Sequence, residues 1–328
     1  MLSKRAAGRR AHLDADAASP HPERCSRISS FWGGGMLLEG KRVVVTGASR
    51  GLGRAFAVAL AAEGASVVIN GTNEALLDET RRIIEDAGGT TITHVGSVAE
   101  HATCEQIIQA CVDAFGGIDV LVNNAGIVRD RTFLKMSEAD FDEVIAVNLK
   151  GTWACGQAAA RAMSTQGGGH IINIISAAGQ LGAFGQNNYA ASKAGAVALT
   201  FTWAIELPRY NIRSNAIWPL ALTDMTDVVL QMARANAEKD GEPSVEPQDM
   251  GLGNPDEVAT LLVHLCSDDA GWMNGQVLSF NGRRVALWTH PAEINERRRD
   301  HWTVEDFQRD LQKHVVPKQE PVGQVITP

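Results

Sequence analysis

Thr46-Gly47-Ala48-Ser49-Arg50-Gly51-Leu52-Gly53 separates a short β-branched run, Lys41–Thr46, from an Ala-rich amphipathic one, Leu52–Glu63. Glycines at that junction let a strand turn tightly into a helix, so the stretch reads as the first turn of a βαβ unit. The same alternation continues outward from it. Ser66–Asn70, Thr91–Val95, Asp119–Val122, His170–Ile175, Ile212–Ile217 and Val277–Phe280 read as strands. Glu74–Ala87, Ala102–Phe115, a long segment from Ser137 to about Thr165, and Tyr189–Leu207 read as helices, as does a segment opened by Asn254-Pro255-Asp256-Glu257. The strands are continuous apolar runs, as expected of strands covered on both faces. The fold class predicted is therefore α/β, one doubly wound seven-stranded parallel sheet in a single domain with terminal extensions.

Composition supports this and excludes other classes. The 328 residues include 32 Gly and only 5% aromatics, a mix suited to Ala-rich helices and Gly-rich turns. The net charge of −8 divides unevenly, with +3 on residues 1–35, −12 on 36–282 and +1 on 283–328. An acidic body repels phosphate backbones, which argues against nucleic acid as a partner. No apolar run approaches the ~20 residues of a membrane span. Cysteines 25, 104, 111, 155 and 266 form no CxxC pair and read as reduced thiols of a cytoplasmic protein. The nine histidines show no ligand spacing, so no metal is expected. Residues 1–35 lack apolar periodicity and end in Gly33-Gly34-Gly35; they read as a disordered extension, or as preceding a true start at Met36. Residues 220–252, rich in Gly and Pro, read as a substrate lid or an ordinary surface excursion. Residues 283–328 are a polar C-terminal extension with a helix near Val304–His314.

Two constellations carry chemistry. The glycine loop Gly47–Gly53 would let backbone approach a pyrophosphate at a helix N-terminus. Gly47-Ala48-Ser49-Arg50-Gly51 also fits the G-x-S-x-G elbow of serine hydrolases, with His264 as a late histidine, but an elbow belongs after several strands and this one follows the first. In Tyr189-Ala-Ala-Ser-Lys193 a spacing of four puts both side chains on one helix face. Alone the pair is common. Here Ser176 stands just past a strand, Asn123-Asn124-Ala125-Gly126 follows another, and Asn148 lies in the long helix.

With these motifs in this order, residues 37–282 resemble the short-chain dehydrogenase/reductase family: Thr46–Gly53 matches TGxxxGxG and Asn123–Gly126 matches NNAG. Asn148, Ser176, Tyr189 and Lys193 match its catalytic tetrad. Arg129-Asp130-Arg131, Asn148–Gly151 and Asn187–Lys193 are similar to the 3-oxoacyl-acyl-carrier-protein reductases and to 3-hydroxyacyl-CoA dehydrogenase domains. The resemblance implies a Rossmann fold and hydride transfer between NAD(P) and a carbonyl or secondary alcohol. The substrate expected is a 3-oxoacyl thioester on acyl carrier protein or CoA, as in fatty acid metabolism. It further implies a homotetramer joined through the long helices.

In that reading Tyr189 exchanges the proton and Ser176 stabilises the carbonyl oxygen. Lys193 holds the nicotinamide ribose, and Asn148 positions a relay water. The Lys193 ammonium and a nearby oxidised nicotinamide would lower the Tyr189 pKa from ~10. The cofactor would contact Gly47, Ser49, Arg50, Gly51, Leu52, Gly53, Gly71, Thr72, Ser97, Val98, Asn124, Ala125, Gly126, Tyr189, Lys193, Pro219 and Thr223. No carboxylate ends the second strand at Gly71-Thr72-Asn73, and Arg50 stands in the loop, which favours NADP with NAD as the alternative.

The sequence also departs from the family pattern. Ser97-Val98 replaces the usual Asp, Pro219-Leu220 the usual Pro-Gly with Thr223 one residue early, and Gly282-Arg283 the terminal GG. Arg129 and Arg131 read as carrier-phosphate contacts or as a solvated loop, and Arg297-Arg298-Arg299 as a solvated helix face. Trp153, Trp203 and Trp218 read as core or interface residues. Two alternatives stay open: an NAD-linked 3-hydroxyacyl-CoA or general alcohol dehydrogenase, and a cofactor-binding sensor without turnover.

Overall fold

A computed structural model describes residues 36–315 except Ile294. The readings of residues 1–35, including the start at Met36, lie outside the described residues, as do residues 316–328. The strands are β1 (Arg42–Val45), β2 (Ser66–Gly71), β3 (Thr90–Val95), β4 (Val120–Asn123), β5 (Gly169–Ile174), β6 (Ile212–Pro219) and β7 (Val277–Phe280). They form a parallel sheet in the order 3-2-1-4-5-6-7. The order reverses between β1 and β4, the position at which such sheets open a crevice at their carboxyl ends.

The expected seven parallel strands are present, and among the described residues an eighth strand, β8 (Val285–Leu287) from the C-terminal extension, adds to them by pairing antiparallel with β7. Three residues are too few to show a period of two, and Val285 and Leu287 are exposed, so nothing in the pattern marks them as strand.

Helices cover both faces. Along β1, Val43 and Val45 point to one core and Val44 to the other, the alternation a strand imposes. The first core is filled by α1 (Gly51–Ala62), α2 (Glu74–Asp86) and the helix Pro255–Cys266, with Phe56, Leu60, Leu77 and Leu262 fully buried. The second core is filled by α3 (His101–Phe115), α5 (Gly151–Gln166) and α7 (Asn187–Glu206). The long helix expected from Ser137 is α4 (Glu138–Ile145), opened by the Ser137–Asp140 capping box, then a π turn at Ala146–Lys150, then α5. Gly156 lets α7 approach closely, since a Cβ there would stand 2.3 Å from the Trp203 ring. Trp203 is core; Trp153 is partly exposed against the His101 ring, and Trp218 packs edge-on to Trp288.

The chain continues through α6 (Ala178–Leu181), α8 (Asp224–Asp240) and α9 (Pro255–Cys266) to α10 (Val304–Asp310). The segment 220–252 thus contains a 17-residue helix rather than loop throughout. Its breakers bound the helix instead of interrupting it: Gly241 terminates α8 in the left-handed conformation, and Pro243, Pro247 and Gly251 follow. In the extension, Arg298 pairs with Glu296, and Arg299 with Asp306 and Asp310.

Candidate functional site

The glycine loop runs from the end of β1 into α1. Gly47 and Gly51 take φ of +66° and +56°, the left-handed region. Gly53 is required for space: a Cβ there would stand 2.1 Å from Gly47 O and 2.5 Å from Asn124 Nδ2. Asn124 locks the loop, its Nδ2 donating to Thr46 O (2.9 Å) and Gly47 O (3.0 Å). The backbone N–H groups of Asn124 and Ala125 both donate to Thr46 Oγ1. The first turn of α1 carries no acid, so its N-terminal N–H groups and positive dipole end are compatible with an anion. Glycine-wide space, rigid backbone and helix end together fit a dinucleotide pyrophosphate.

The neighbouring positions are as follows. Gly71 ends β2 beside Ser49, whose Oγ would lie 2.1 Å from a Cβ at Gly71; Thr72 follows. Ser97 Oγ accepts from Ala99 N, and buried Val98 packs where a Cβ on Gly151 would reach within 2.7 Å. After β6, Leu220 N donates to Phe280 O and Leu222 N to Gly253 O, which defines the loop following Pro219. That loop delivers Thr223 opposite Gly51, 3.9 Å from the position of a Cβ there. Arg50 sits at the N-cap of α1. His264 is exposed on α9.

The other four predicted residues converge past the ends of β4 and β5. Asn148, fully buried in the π turn, accepts from Ile127 N (2.8 Å) and donates to Ile127 O (2.9 Å). A Cβ on Gly126 would stand 3.5 Å from Asn148 Oδ1 and 3.7 Å from Lys193 Nζ, so both polar ends border that glycine. Lys193 Nζ donates to Ile174 O (2.8 Å) and lies 5.6 Å from the Tyr189 ring centre. The Ser176 hydroxyl accepts from Ala178 N (3.3 Å) and stands near enough to Tyr189 to act on its pKa.

Burial sets the electrostatics. It raises the Tyr189 pKa to about 12, against a lowering by Ser176 and with a further increase from the Asp130 charge. Burial also depresses Lys193, to about 8. In the protein without cofactor the Tyr189 pKa is thus raised rather than lowered, because desolvation of the phenolate outweighs the opposing effect of Ser176. Tyr189 is a protonated phenol at neutral pH, held beside a hydroxyl: a hydrogen-bond donor pair suited to a carbonyl oxygen.

Supporting residues escaped the sequence reading. Gly179 lets α6 rest directly on α7, since a Cβ would stand 2.6 Å from Lys193 C. Ser192 Oγ accepts from Asn148 Nδ2 and donates to Tyr189 O, joining the π turn to α7. The available signal was a run of small and polar residues on a helix otherwise facing the core. Arg129 is paired with Glu143 (2.7 Å), and Arg131 donates to the neighbouring Asp130 O. Among the described residues, no group of three or more His, Cys, Asp or Glu could hold a metal ion, and no helix is long and apolar enough to cross a membrane.

Comparison with known proteins places these features in context. The profile of the short chain dehydrogenases matches residues 41–234. The chain is 39% identical over 252 residues to a 3-oxoacyl-[acyl-carrier-protein] reductase of Thermotoga maritima, covering 76% of this chain and 100% of that protein. It is 40% identical over 267 residues to a hydroxyacyl-CoA dehydrogenase of Mycobacterium tuberculosis, covering 77% and 81%. It is 39% identical over 260 residues to a rat (3R)-3-hydroxyacyl-CoA dehydrogenase, covering 75% and 97%. A crystal structure of a short chain dehydrogenase from Mycobacterium avium superposes with a TM-score of 0.72 at 36% identity, covering 87% of this chain and 98% of that one.

Proposed function

Because the chain belongs to the short-chain dehydrogenase/reductase family and is an NAD(P)-dependent oxidoreductase, we propose that it interconverts a 3-oxoacyl thioester and its 3-hydroxyacyl counterpart, with NADP preferred. The reading rests above all on one observation: Ser176, Tyr189, Lys193 and Asn148 converge beside a glycine loop already braced for a dinucleotide.

The loop Gly47–Gly53 and the first turn of α1 would hold the pyrophosphate. Asn124, Ala125 and Gly126 brace it. Gly71, Thr72, Ser97 and Val98 border the adenosine end, Pro219 and Thr223 the nicotinamide end, and Tyr189 and Lys193 the ribose between. When bound, the cofactor supplies or accepts the hydride. The protein's own groups manage the proton and the charge. Tyr189, protonated at neutral pH, donates to the substrate oxygen in reduction and takes the proton back in oxidation. Ser176 hydrogen-bonds the same oxygen and stabilises its developing charge. Lys193, a cation below pH about 8, stabilises the phenolate left behind, and Asn148 stands where a proton path from Lys193 would pass.

An acyl substrate is favoured by the two loops flanking Tyr189. They are tied by Arg131 N donating to Gly185 O (2.8 Å), and they expose Phe133, Leu134 and Phe184 at 77%, 94% and 94%. The relatives named above as acting on 3-oxoacyl or hydroxyacyl thioesters support the same class. NADP preference is supported by the absence of a carboxylate at the end of β2 and by Arg50 at the N-cap.

The test is turnover by the purified protein with NADPH and NADH across acetoacetyl-CoA, cyclic ketones and sugar ketones. Activity confined to the acyl thioester supports the reading, and activity confined to the other ketones refutes it. Tyr189→Phe should lose turnover by ~10²–10⁴-fold while keeping cofactor affinity. A Tyr189→Phe variant as active as the wild type would remove Tyr189 from the chemistry. If Arg50→Ala leaves the NADPH/NADH ratio of kcat/KM unchanged, the assigned basis for NADP preference is wrong.

A further inference from the structure

Resting on that reading, we propose that Asn188 is a positioning residue for the reaction: with Gln186 it clasps the loop after β4 to the first turn of α7 and so fixes Tyr189. Asn188 is fully buried, and its carboxamide is fully engaged. Nδ2 donates to Arg129 O (3.1 Å) and to Asp140 O (2.8 Å). Oδ1 accepts from Tyr189 N (2.7 Å). One side chain therefore joins three segments: the loop beside the substrate cleft, the first turn of α4, and the backbone of the proton-transferring residue itself.

Gln186 repeats the connection nearer the surface. It occupies the N-cap position of α7 without capping it. Its Nε2 donates instead to Asp130 Oδ2 (3.0 Å), one residue from the Asn188 contact. Arg131 N completes the seam by donating to Gly185 O. Two residues before Arg129, Ile127 holds Asn148 by two hydrogen bonds. The loop therefore fixes Tyr189 from one side and Asn148 from the other.

The chemistry requires an amide at position 188. A carboxylate could not donate to two carbonyls, and a small apolar residue would remove the one donor group that Arg129 O and Asp140 O share. The glycine loop has its own locks at Thr46 and Asn124, so loosening the clasp should leave cofactor binding alone.

The experiment compares wild type, Asn188→Ala and Asn188→Asp, each full-length and normalised to its number of cofactor-binding sites, on a substrate the wild type turns over. A displaced Tyr189 should lower kcat by about 10²-fold in both variants. Cofactor Kd should stay within about twofold, since the braces of the glycine loop are separate from the clasp. Full kcat per cofactor-binding site, with only Tm lowered, would show Asn188 to be merely structural and would overturn the proposal. If neither variant folds, Gln186→Leu carries the test from a less buried position, with kcat expected to fall several-fold at unchanged cofactor Kd; unchanged kcat overturns the clasp. A wild type inactive on every substrate would instead count against the functional reading itself.

Discussion

Tyr189 and Lys193 feel the same burial with opposite effects on their pKa values, and both shifts disfavour charge. The phenol is raised to about 12 and the ammonium lowered to about 8. Ser176 is the neighbour that opposes the rise. Oxidation of an alcohol needs the phenolate, so its kcat/KM should climb with pH until Tyr189 has ionised. Removing the hydroxyl in Ser176→Ala raises the Tyr189 pKa, which moves that climb to higher pH. Losing the second donor to the oxygen should also reduce kcat by ~10²-fold or more. A pH–rate profile of the variant superimposable on the wild type would show that Ser176 does not act on Tyr189. The identities of these residues were legible in the sequence, because Tyr-x-x-x-Lys, a serine after a strand and NNAG each sit at a recognisable place in a βα alternation. The sign of the Tyr189 shift was not legible. It depends on how far the ring leaves water, which is set by the folded packing and not by the local motif.

At the level of elements, the site is built from close approaches that only small residues allow. The approach of Gly53 to Gly47 is the tightest of those in the glycine loop, at 2.1 Å for a Cβ on Gly53, and the obstacle is backbone that cannot swing away. Gly53→Ala should therefore push α1 off the loop and weaken NAD(P)H binding at least tenfold, with a fall in Tm. Titration of cofactor fluorescence and a thermal melt check both. Wild-type affinity in this variant would mean that the loop is looser than its hydrogen bonds to Asn124 indicate. The π turn at Ala146–Lys150 works the other way, inserting extra backbone between α4 and α5 at the place where Asn148 reaches Ile127. The sequence showed a continuous helix here because a π turn alters periodicity by a single residue. For α8 the difficulty was different: the glycines and prolines are prominent, but they lie at and beyond its C-terminal end.

Across the whole molecule, the seven parallel strands were readable because each is an apolar run bounded by helices, whereas β8 was hidden by its length and its exposed side chains. A second feature of the assembled sheet could not be read at all. His170 on β5 is buried between β6 and α9, with Nδ1 donating to Leu265 O (3.1 Å) and Nε2 accepting from Asn215 Nδ2 (2.9 Å). The neutral ring satisfies both neighbours. A second ring proton would face the Asn215 N–H, and burial lowers the His170 pKa to about 3, assisted by the Arg213 charge. The unfolded chain binds this proton near pH ~6.5 and the folded one only near 3, so stability is complete above ~6.5 and is lost as pH falls toward 3. Each pH unit in that window should remove up to about 1.4 kcal/mol from the unfolding free energy. Half-buried His94 is shifted in the same direction, while the depressed carboxyls Asp119 and Asp140 act at lower pH. Urea titrations between pH 6.5 and 5 therefore isolate the histidines. His170→Gln keeps a hydrogen-bonding side chain with no proton to gain; it should start less stable at pH 7 and show a shallower decline than the wild type. An identical slope in the two proteins would mean that His170 does not take up a proton on unfolding, and that the acid sensitivity of the sheet arises elsewhere.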